Sequence, residues 1–195
     1  QFLGNRKGAV VAIDLQSGGV NVLYSAPTFS INKLSNGMSD QEFQLLIKNA
    51  EKPFFNRALQ GRYPPASTIK PAIGMFGLAN DIVDWEYQIK DPGFFTLPET
   101  GRIYRGWRKG GHGKVNMRKA ILVSSNTYFF SLAYQSDIIQ LAQHLSSLGF
   151  GTKICSDCFE EDKVCVPTPG WKYSMMNAGW VTGDTVNLGI GQGYL

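Results

Sequence analysis

No apolar run in the 195-residue sequence approaches the roughly 18–20 residues that a membrane-spanning helix needs, so we expect no such span within it. Charged residues are also few, at 17%, and the formal net charge of +4 is too small to identify a class of partner. The sequence has neither an initial Met nor the long apolar stretch of a signal peptide. We therefore expect it to be a fragment or a processed piece of a longer protein.

Several common catalytic signatures are missing as well. There is no G-x-S-x-G elbow, no H-E-x-x-H motif and no complete Walker A loop. The two histidines, His112 and His144, leave few candidates for a His-based triad. The glycine-rich residues 189–193 lack the following helix that a dinucleotide fingerprint requires. The dinucleotide-binding interpretation therefore fails, and a His-based triad has little support.

Cysteine is scarce, and its three copies form one C-x2-C-x6-C pattern: Cys155, Cys158 and Cys165. A pure disulfide framework would leave one of them over. Three interpretations stay open, namely inert structural thiols, a disulfide in an oxidising compartment, or a zinc site. Acidic neighbours and the lack of a fourth ligand nearby in the sequence argue against zinc, and inert structural thiols are the favoured interpretation.

The patterns that are present predict an α+β domain. Residues 9–14 and 20–24 are β-rich runs around a Gly-Gly turn, which is typical of an antiparallel hairpin. Ser39 and Glu42 have the spacing of a capping box, and the apolar face that follows predicts a helix that Pro53 ends.

Further along the chain the pattern becomes mainly helical. We predict a helix from about Ser67 to Ala79, because Pro71 is tolerated only in a first turn. Residues 91–114 have the composition of a loop. Two short helices should follow and meet near Ser124, then a helix over residues 138–148, and then strand and loop. A hairpin followed by helices favours α+β over alternating βαβ units.

Ser67 and Lys70 form an S-x-x-K motif at the predicted helix start. Residues three apart share a helix face, with Cβ atoms about 5–6 Å apart, so the amine can reach the hydroxyl. The pair suits an activated serine nucleophile, provided that the pKa of Lys70 falls from about 10.4. An isolated match also fits an ordinary helix start.

A second polar group, residues 124–126, follows the apolar run 120–123 and precedes the aromatic run 128–130. Its sequence, S-S-N, is well placed to face a cleft. Ser and Asn also suit a helix N-cap, and the two interpretations are compatible. Together the two motifs indicate serine acyl transfer.

The pair S-x-x-K and S-x-N resembles the penicillin-binding transpeptidases and serine β-lactamases, whose third motif is K-T-G. N-R-A at residues 56–58 and Y-P-P-A-S-T-I-K-P at residues 63–71 look like the nucleophile segment of class B penicillin-binding proteins. I-Y-R-G-W at 103–107, G-H-G at 111–113 and G-I-G-Q-G-Y at 189–194 are similar to the elongation-type group, penicillin-binding protein 2.

This resemblance covers almost the whole chain and implies the penicillin-binding transpeptidase, serine β-lactamase-like fold, an antiparallel sheet flanked by helices. Residues 1–195 would be the N-terminal part of one transpeptidase domain, incomplete at the C-terminus. The K-T-G strand, the pedestal domain and the membrane anchor are not in the sequence. The family usually has Gly where this chain has Ala66, which matters if that position needs a positive φ.

The resemblance implies a peptidoglycan D,D-transpeptidase of cell elongation, a target of β-lactams, with a D,D-carboxypeptidase side activity. Ser67 would attack the penultimate D-Ala carbonyl, and its N–H would supply half of the oxyanion hole. Lys70 would take the Ser67 proton. Ser124 would relay a proton to the leaving D-Ala amine, and Asn126 would orient Lys70 and the substrate amide. Ser67, Ser124 and Asn126 would also bind the substrate.

The resemblance also implies partners and a location. We expect peptidoglycan stem peptides ending in D-Ala-D-Ala, β-lactams and elongation-machinery proteins, and no cofactor. The catalytic domain would lie in the bacterial periplasm, with a membrane anchor in the inner membrane. Basic and aromatic residues interleave over residues 102–114, as in a nucleic-acid patch, but a basic rim of the cleft fits the family better and no nucleic acid is expected.

Some elongation-type members carry a zinc site built from Asp, His and Cys. Asp91 and His112 match two ligands, but Gly106 and Ser125 occupy the other two positions, so we expect no metal. Two other functions stay open. A β-lactam hydrolase or sensor would need a deacylating base, for which the sequence has no signature, and a scaffold module for cell-wall proteins would need no catalysis.

Overall fold

The computed structural model describes residues 3–4, 6–155, 157–161 and 165–195. The described residues divide into two compact units. The first comprises those of Gln1–Arg62 and Lys153–Asp162, and the second those of Tyr63–Thr152 and Lys163–Leu195. No helix in these ranges is both long enough and apolar enough to cross a bilayer.

The first unit contains the predicted hairpin. Strands β1 (Gly8–Ile13) and β2 (Val20–Ala26) pair antiparallel, with Gly8 opposite Ala26. The Asp14 carboxylate accepts hydrogen bonds from the N–H groups of Gln16 and Ser17, which shapes the turn between the strands. The hairpin prediction is therefore confirmed.

Two short helices follow the hairpin, α1 (Ile31–Ser35) and α2 (Asp40–Ile47). The capping box at Ser39 is confirmed, because its hydroxyl accepts from the Glu42 N–H and the Glu42 carboxylate accepts from the Ser39 N–H. Helix α2 ends at Ile47, earlier than the predicted stop at Pro53, and α1 was not predicted.

The second unit is mainly helical. A 3₁₀ turn, Ala66–Ile69, leads into helix α3. The helices are α3 (Lys70–Ala79), α4 (Met117–Leu122), α5 (Asn126–Tyr134), α6 (Ile138–Ser147), α7 (Pro169–Met176) and α8 (Thr182–Leu188). Helices α3 to α6 confirm the predictions. The expectation of strand and loop near the end was wrong, because Thr168 caps α7 and Asp184 accepts from the Val181 N–H to start α8.

Four three-residue strands lie within or at the ends of the segment predicted as loop, residues 91–114. They are β3 (Ile89–Asp91), β4 (Phe94–Thr96), β5 (Ile103–Arg105) and β6 (Gly113–Val115). Strand β3 pairs antiparallel with β6, and β4 with β5. Strands this short show no readable alternation in a sequence rich in Gly, Pro and Arg. With the hairpin, the antiparallel sheet structure in the described residues consists of three separate two-stranded sheets.

Helix α5 lies at the centre of the core of this unit. It contacts α3, α4, α8 and strands β3, β4 and β5. Tyr128, Phe129 and Leu132 are almost fully buried along it. Burial of a large apolar side chain stabilises the folded state by roughly 1.5–3 kcal/mol. Gly77 on α3 permits the close approach, since a Cβ there would lie 2.7 Å from Leu132 Cδ1. The core thereby fixes α3 and the start of α5 relative to each other.

Candidate active site

The candidate nucleophile lies on the short turn that precedes α3. Ser67 is the second residue of the 3₁₀ turn, its side chain is exposed, and its carbonyl accepts from the Lys70 N–H. Pro71 falls in the first turn of α3, where its missing N–H costs least. The predicted helix start near Ser67 is confirmed, with a 3₁₀ turn as its first part.

Ala66, directly before the nucleophile, adopts the left-handed conformation with φ +49°. The sequence flagged this position for that reason, since an L-residue there costs about 1–2 kcal/mol. Its N–H donates to the Gly191 carbonyl at 3.0 Å, and a Cβ on Gly191 would overlap the backbone of Ala66. The glycine-rich segment at residues 189–193 therefore supports the nucleophile turn.

Lys70 is buried, with 2% of its surface exposed. Its ammonium donates to the Ser124 carbonyl at 2.9 Å, to Ser124 Oγ at 3.0 Å and to Asn126 Oδ1 at 2.7 Å. These acceptors account for the three ammonium protons. Burial disfavours the charged form and lowers the pKa of Lys70 to about 8. Among the described residues, the Ser67 hydroxyl is not one of its partners.

Ser124 joins α4 to α5 in a left-handed conformation, with φ +52°. The Ser124 N–H donates to the Ile121 carbonyl, and Trp107 Nε1 donates to the Ser124 carbonyl at 3.2 Å. The Ser124 carbonyl therefore accepts hydrogen bonds from both Trp107 and Lys70. The contribution of Trp107 was not predicted, although it lies within the I-Y-R-G-W motif.

Ser125 is the N-cap of α5 and is fully buried. Its hydroxyl accepts from the Tyr128 N–H and donates to Asp91 Oδ2 at 2.7 Å. The same carboxylate oxygen lies 2.8 Å from His112 Nδ1, and Oδ1 accepts from the Gly93 N–H. Burial alone would raise the pKa of Asp91, but hydrogen bonds from its neighbours, including His112 and Ser125, lower it below its ordinary value. Asp91 is thus a charged anchor for the start of α5, which carries Asn126.

The zinc set implied by the resemblance does not fit the residues present. Asp91 and His112 do meet, but Gly106 has no side chain and the Ser125 hydroxyl is committed to Asp91. No group of three or more His, Cys, Asp or Glu ligands occurs in the part of the chain that the structure describes. A structural zinc site needs four ligands.

Two of the three cysteines form a disulfide. Cys155 and Cys158 are joined, and Cys165 is free and exposed. The favoured interpretation of three inert thiols was wrong for the first two.

The arrangement can support acyl transfer. An exposed serine hydroxyl lies on the turn that enters α3, and a buried amine of lowered pKa begins that helix. The amine in turn contacts a second serine hydroxyl and an amide. These are the parts that nucleophilic catalysis requires, a nucleophile, a base and a proton relay. The sequence motifs predict all four side chains but not the support from Trp107 and Gly191.

Comparison with known proteins gives consistent likenesses. The family model described as the penicillin binding protein transpeptidase domain matches residues 8–195. Peptidoglycan D,D-transpeptidase MrdA of Acinetobacter baumannii is 44% identical over 193 residues, which is 99% of this chain and 29% of that protein. MrdA of Escherichia coli strain K12 is 36% identical over 99% of this chain and 30% of its own length.

Solved structures show likenesses of the same kind. PBP2 of Pseudomonas aeruginosa, in complex with WCK 5153, superposes with a TM-score of 0.95 at 38% identity, covering 99% of this chain and 42% of that one. PBP2 of Helicobacter pylori, in complex with MreC, gives a TM-score of 0.92 at 32% identity, covering 98% and 36%. These likenesses confirm the predicted fold. The chain spans only about 30% of the length of the curated relatives that it matches.

Proposed function

Because the chain belongs to the family of penicillin-binding protein transpeptidase domains, we propose that its protein cross-links peptidoglycan stem peptides through a serine acyl-enzyme during cell elongation. The observation that carries this proposal is the position of Lys70. Its buried amine lies three residues from the exposed Ser67 and contacts both Ser124 and Asn126.

In the acylation step, Ser67 Oγ attacks the carbonyl carbon of the penultimate D-Ala and transfers its proton to neutral Lys70 Nζ. A lowered pKa of about 8 makes the neutral amine accessible near neutral pH. The Ser67 N–H donates to no other described residue, so it is free to stabilise the developing oxyanion.

The peptide bond then breaks. Ser124 Oγ gives its proton to the departing D-Ala nitrogen and receives one from Lys70 Nζ, along the 3.0 Å contact between them. Asn126 holds the Lys70 amine and offers its amide to the substrate backbone. The amine of a neighbouring stem attacks the acyl carbonyl, returns a proton through the same path, and releases Ser67 with a new cross-link. With water as acceptor the same step gives carboxypeptidase activity.

Residues 1–195 would form the N-terminal part of one transpeptidase domain, and a K-T-G strand elsewhere in the protein would complete the oxyanion hole. β-Lactams would acylate Ser67 in place of the stem peptide. The complex of the Helicobacter pylori relative with MreC supports partners from the elongation machinery. The family supports a periplasmic catalytic domain attached to the inner membrane.

The test measures cross-linked muropeptides and released D-Ala from glycan strands with pentapeptide stems, using the full-length protein. Ser67→Ala should abolish both products. Ser146→Ala, an exposed serine on α6, should leave both unchanged. Cross-linking that survives in Ser67→Ala would refute the proposal.

A further inference from the structure

The indole of Trp107 lies against the turn at Ser124, although 65% of the residue is exposed. Its ring centre lies 5.3 Å from that of His112, which limits the directions in which the indole can point. Its Nε1–H donates to the carbonyls of Val123 and Ser124, each at 3.2 Å. An exposed tryptophan therefore shares one acceptor, the Ser124 carbonyl, with the buried amine of Lys70.

The contacts of Lys70 suit its charged form. The ammonium has three protons and three acceptors, which are the Ser124 carbonyl, Ser124 Oγ and Asn126 Oδ1. A neutral amine has only two N–H donors and one lone pair. To accept the proton of Ser67, that lone pair must face the Ser67 hydroxyl. One of the three acceptors therefore loses its hydrogen bond to the amine whenever Lys70 is ready to act as a base.

The three acceptors differ in what this loss would leave behind. Among the described residues, Asn126 Oδ1 and Ser124 Oγ accept from no group other than Lys70. The Ser124 carbonyl keeps the hydrogen bond from Trp107 when the amine turns away. Because an acceptor left without a partner is costly, the Ser124 carbonyl is the one that the neutral amine releases most easily.

No charged side chain contacts the Lys70 amine in the part of the chain that the structure describes. The titratable side chains on the helices packed against α3 are Arg118, Lys119, Tyr128, Tyr134 and His144. Asp91 accepts from Ser125 and contacts His112 instead. Burial lowers the pKa of Lys70, and hydrogen bonds that favour one form of the amine change that pKa further.

We propose that Trp107 is a positioning residue that favours the neutral form of Lys70, because its N–H keeps the Ser124 carbonyl satisfied when the amine turns to Ser67. The same N–H makes the carbonyl a weaker acceptor for the ammonium, since two donors share one oxygen. Both effects act in the same direction. The proposal rests on the proposed acylation of Ser67 and adds a residue that tunes the base.

The test compares pH profiles of penicillin acylation by the full-length protein. The second-order rate constant is measured, because its pH dependence reports the free enzyme. Trp107→Phe removes the indole N–H and keeps an aromatic ring beside His112. Loss of one hydrogen bond should move the inflection to higher pH by roughly half a unit to one unit. The rate at pH 7 should then fall roughly three- to tenfold, whereas the plateau at high pH should be unchanged.

Trp85→Phe is the matched control, since Trp85 is also more than half exposed, at 54%, and does not bond to the Ser124 turn. It should change neither the inflection nor the plateau. Trp107→Leu removes the same N–H without leaving a ring and should shift the inflection as Trp107→Phe does, so either variant decides the question if the other fails to fold. An unmoved inflection in a folded Trp107 variant would overturn the inference, even if the plateau were lower.

Mass spectrometry of the adduct separates this failure from failure of the function itself. If penicillin acylates Ser67 in the unsubstituted protein and the Trp107 variants show no shift, only the role of Trp107 is wrong. If penicillin does not acylate Ser67 at any pH, the proposed function is wrong.

Discussion

The two turns that carry the candidate catalytic serines share a left-handed backbone conformation but are held by different contacts. Ala66 and Ser124 are both non-glycine residues with positive φ, and each lies shortly before a helix. The first turn rests on the backbone of Gly191 and leaves Ser67 exposed. The second is surrounded by polar side chains and a buried carboxylate. Main-chain support suits a side chain that must meet a substrate, whereas side-chain support suits groups that hold and pass protons.

The largest effect should come from changing the residue that links the two turns. Lys70→Arg retains the charge but cannot act as a base, because a guanidinium does not lose its proton at accessible pH. A general base contributes about 10²–10⁴-fold, so penicillin acylation should slow by at least that factor. Lys90→Arg, an exposed change on β3, is the control. Labelling of Lys70→Arg at a near-normal rate would show that Lys70 is not the base.

The pH profile sharpens the same comparison. Burial lowers the pKa of Lys70 from 10.5 to about 8. The fraction of Lys70 in the neutral form therefore increases as the pH rises towards 8 and approaches one at higher pH. The acylation rate of the unsubstituted protein should rise accordingly, about tenfold per pH unit well below that pKa. Lys70→Arg should lack this rise.

Gly191→Ala should weaken the first turn alone. The added Cβ would overlap the Ala66 backbone, and overpacking against main chain costs typically 1–3 kcal/mol. Gly193→Ala is a matched control, since it also has positive φ but its nearest neighbour is the Asn187 side chain at 3.3 Å. The free energy of unfolding, measured in urea, and the acylation rate should therefore both fall more in Gly191→Ala than in Gly193→Ala. Equal effects of the two changes would mean that Gly191 does not support the turn.

Asp91→Asn should weaken the second turn. The variant loses the charged acceptor shared by Ser125 and His112, and unmatched buried polar groups cost about 1–3 kcal/mol. Asp137→Asn tests the same chemical change at the N-cap of α6, where Asn serves as well as Asp. We expect a loss of stability and slower acylation only in Asp91→Asn. A variant of Asp91 as stable and as active as the control would refute the anchoring role.

The smallest effect should come from Ala66→Gly. Glycine adopts a φ of +49° without the Cβ penalty of about 1–2 kcal/mol, and this relief exceeds the entropy cost of glycine, about 0.5–1 kcal/mol. The free energy of unfolding should rise by about 0.5–1 kcal/mol, measured by urea denaturation. Ala79→Gly, at the end of α3, should instead lower it. A loss of stability in Ala66→Gly would show that the turn does not carry the strain described.

Sequence reasoning succeeded where local chemistry decides the structure. The Gly-Gly hairpin, the capping box at Ser39 and the helix break at Ser124 all follow from nearby residues. The four catalytic candidates were selected by their spacing and by resemblance, and three of them, Lys70, Ser124 and Asn126, lie in contact. The short strands β3 to β6 were missed because three-residue strands depend on their partners rather than on their own pattern. The contacts of Gly191 with Ala66 and of Asp91 with Ser125 join distant parts of the chain, so no local signal reveals them.

Our central hypothesis is that the turn at Ala66 supplies the nucleophile, Ser67, and that the turn at Ser124 supplies the proton relay. The most direct test is to label the full-length protein with benzylpenicillin and locate the adduct by peptide mass spectrometry. We expect a single adduct on the peptide that contains Ser67, lost in Ser67→Ala and not transferred to another residue. An adduct on Ser124, or on any other side chain, would contradict it.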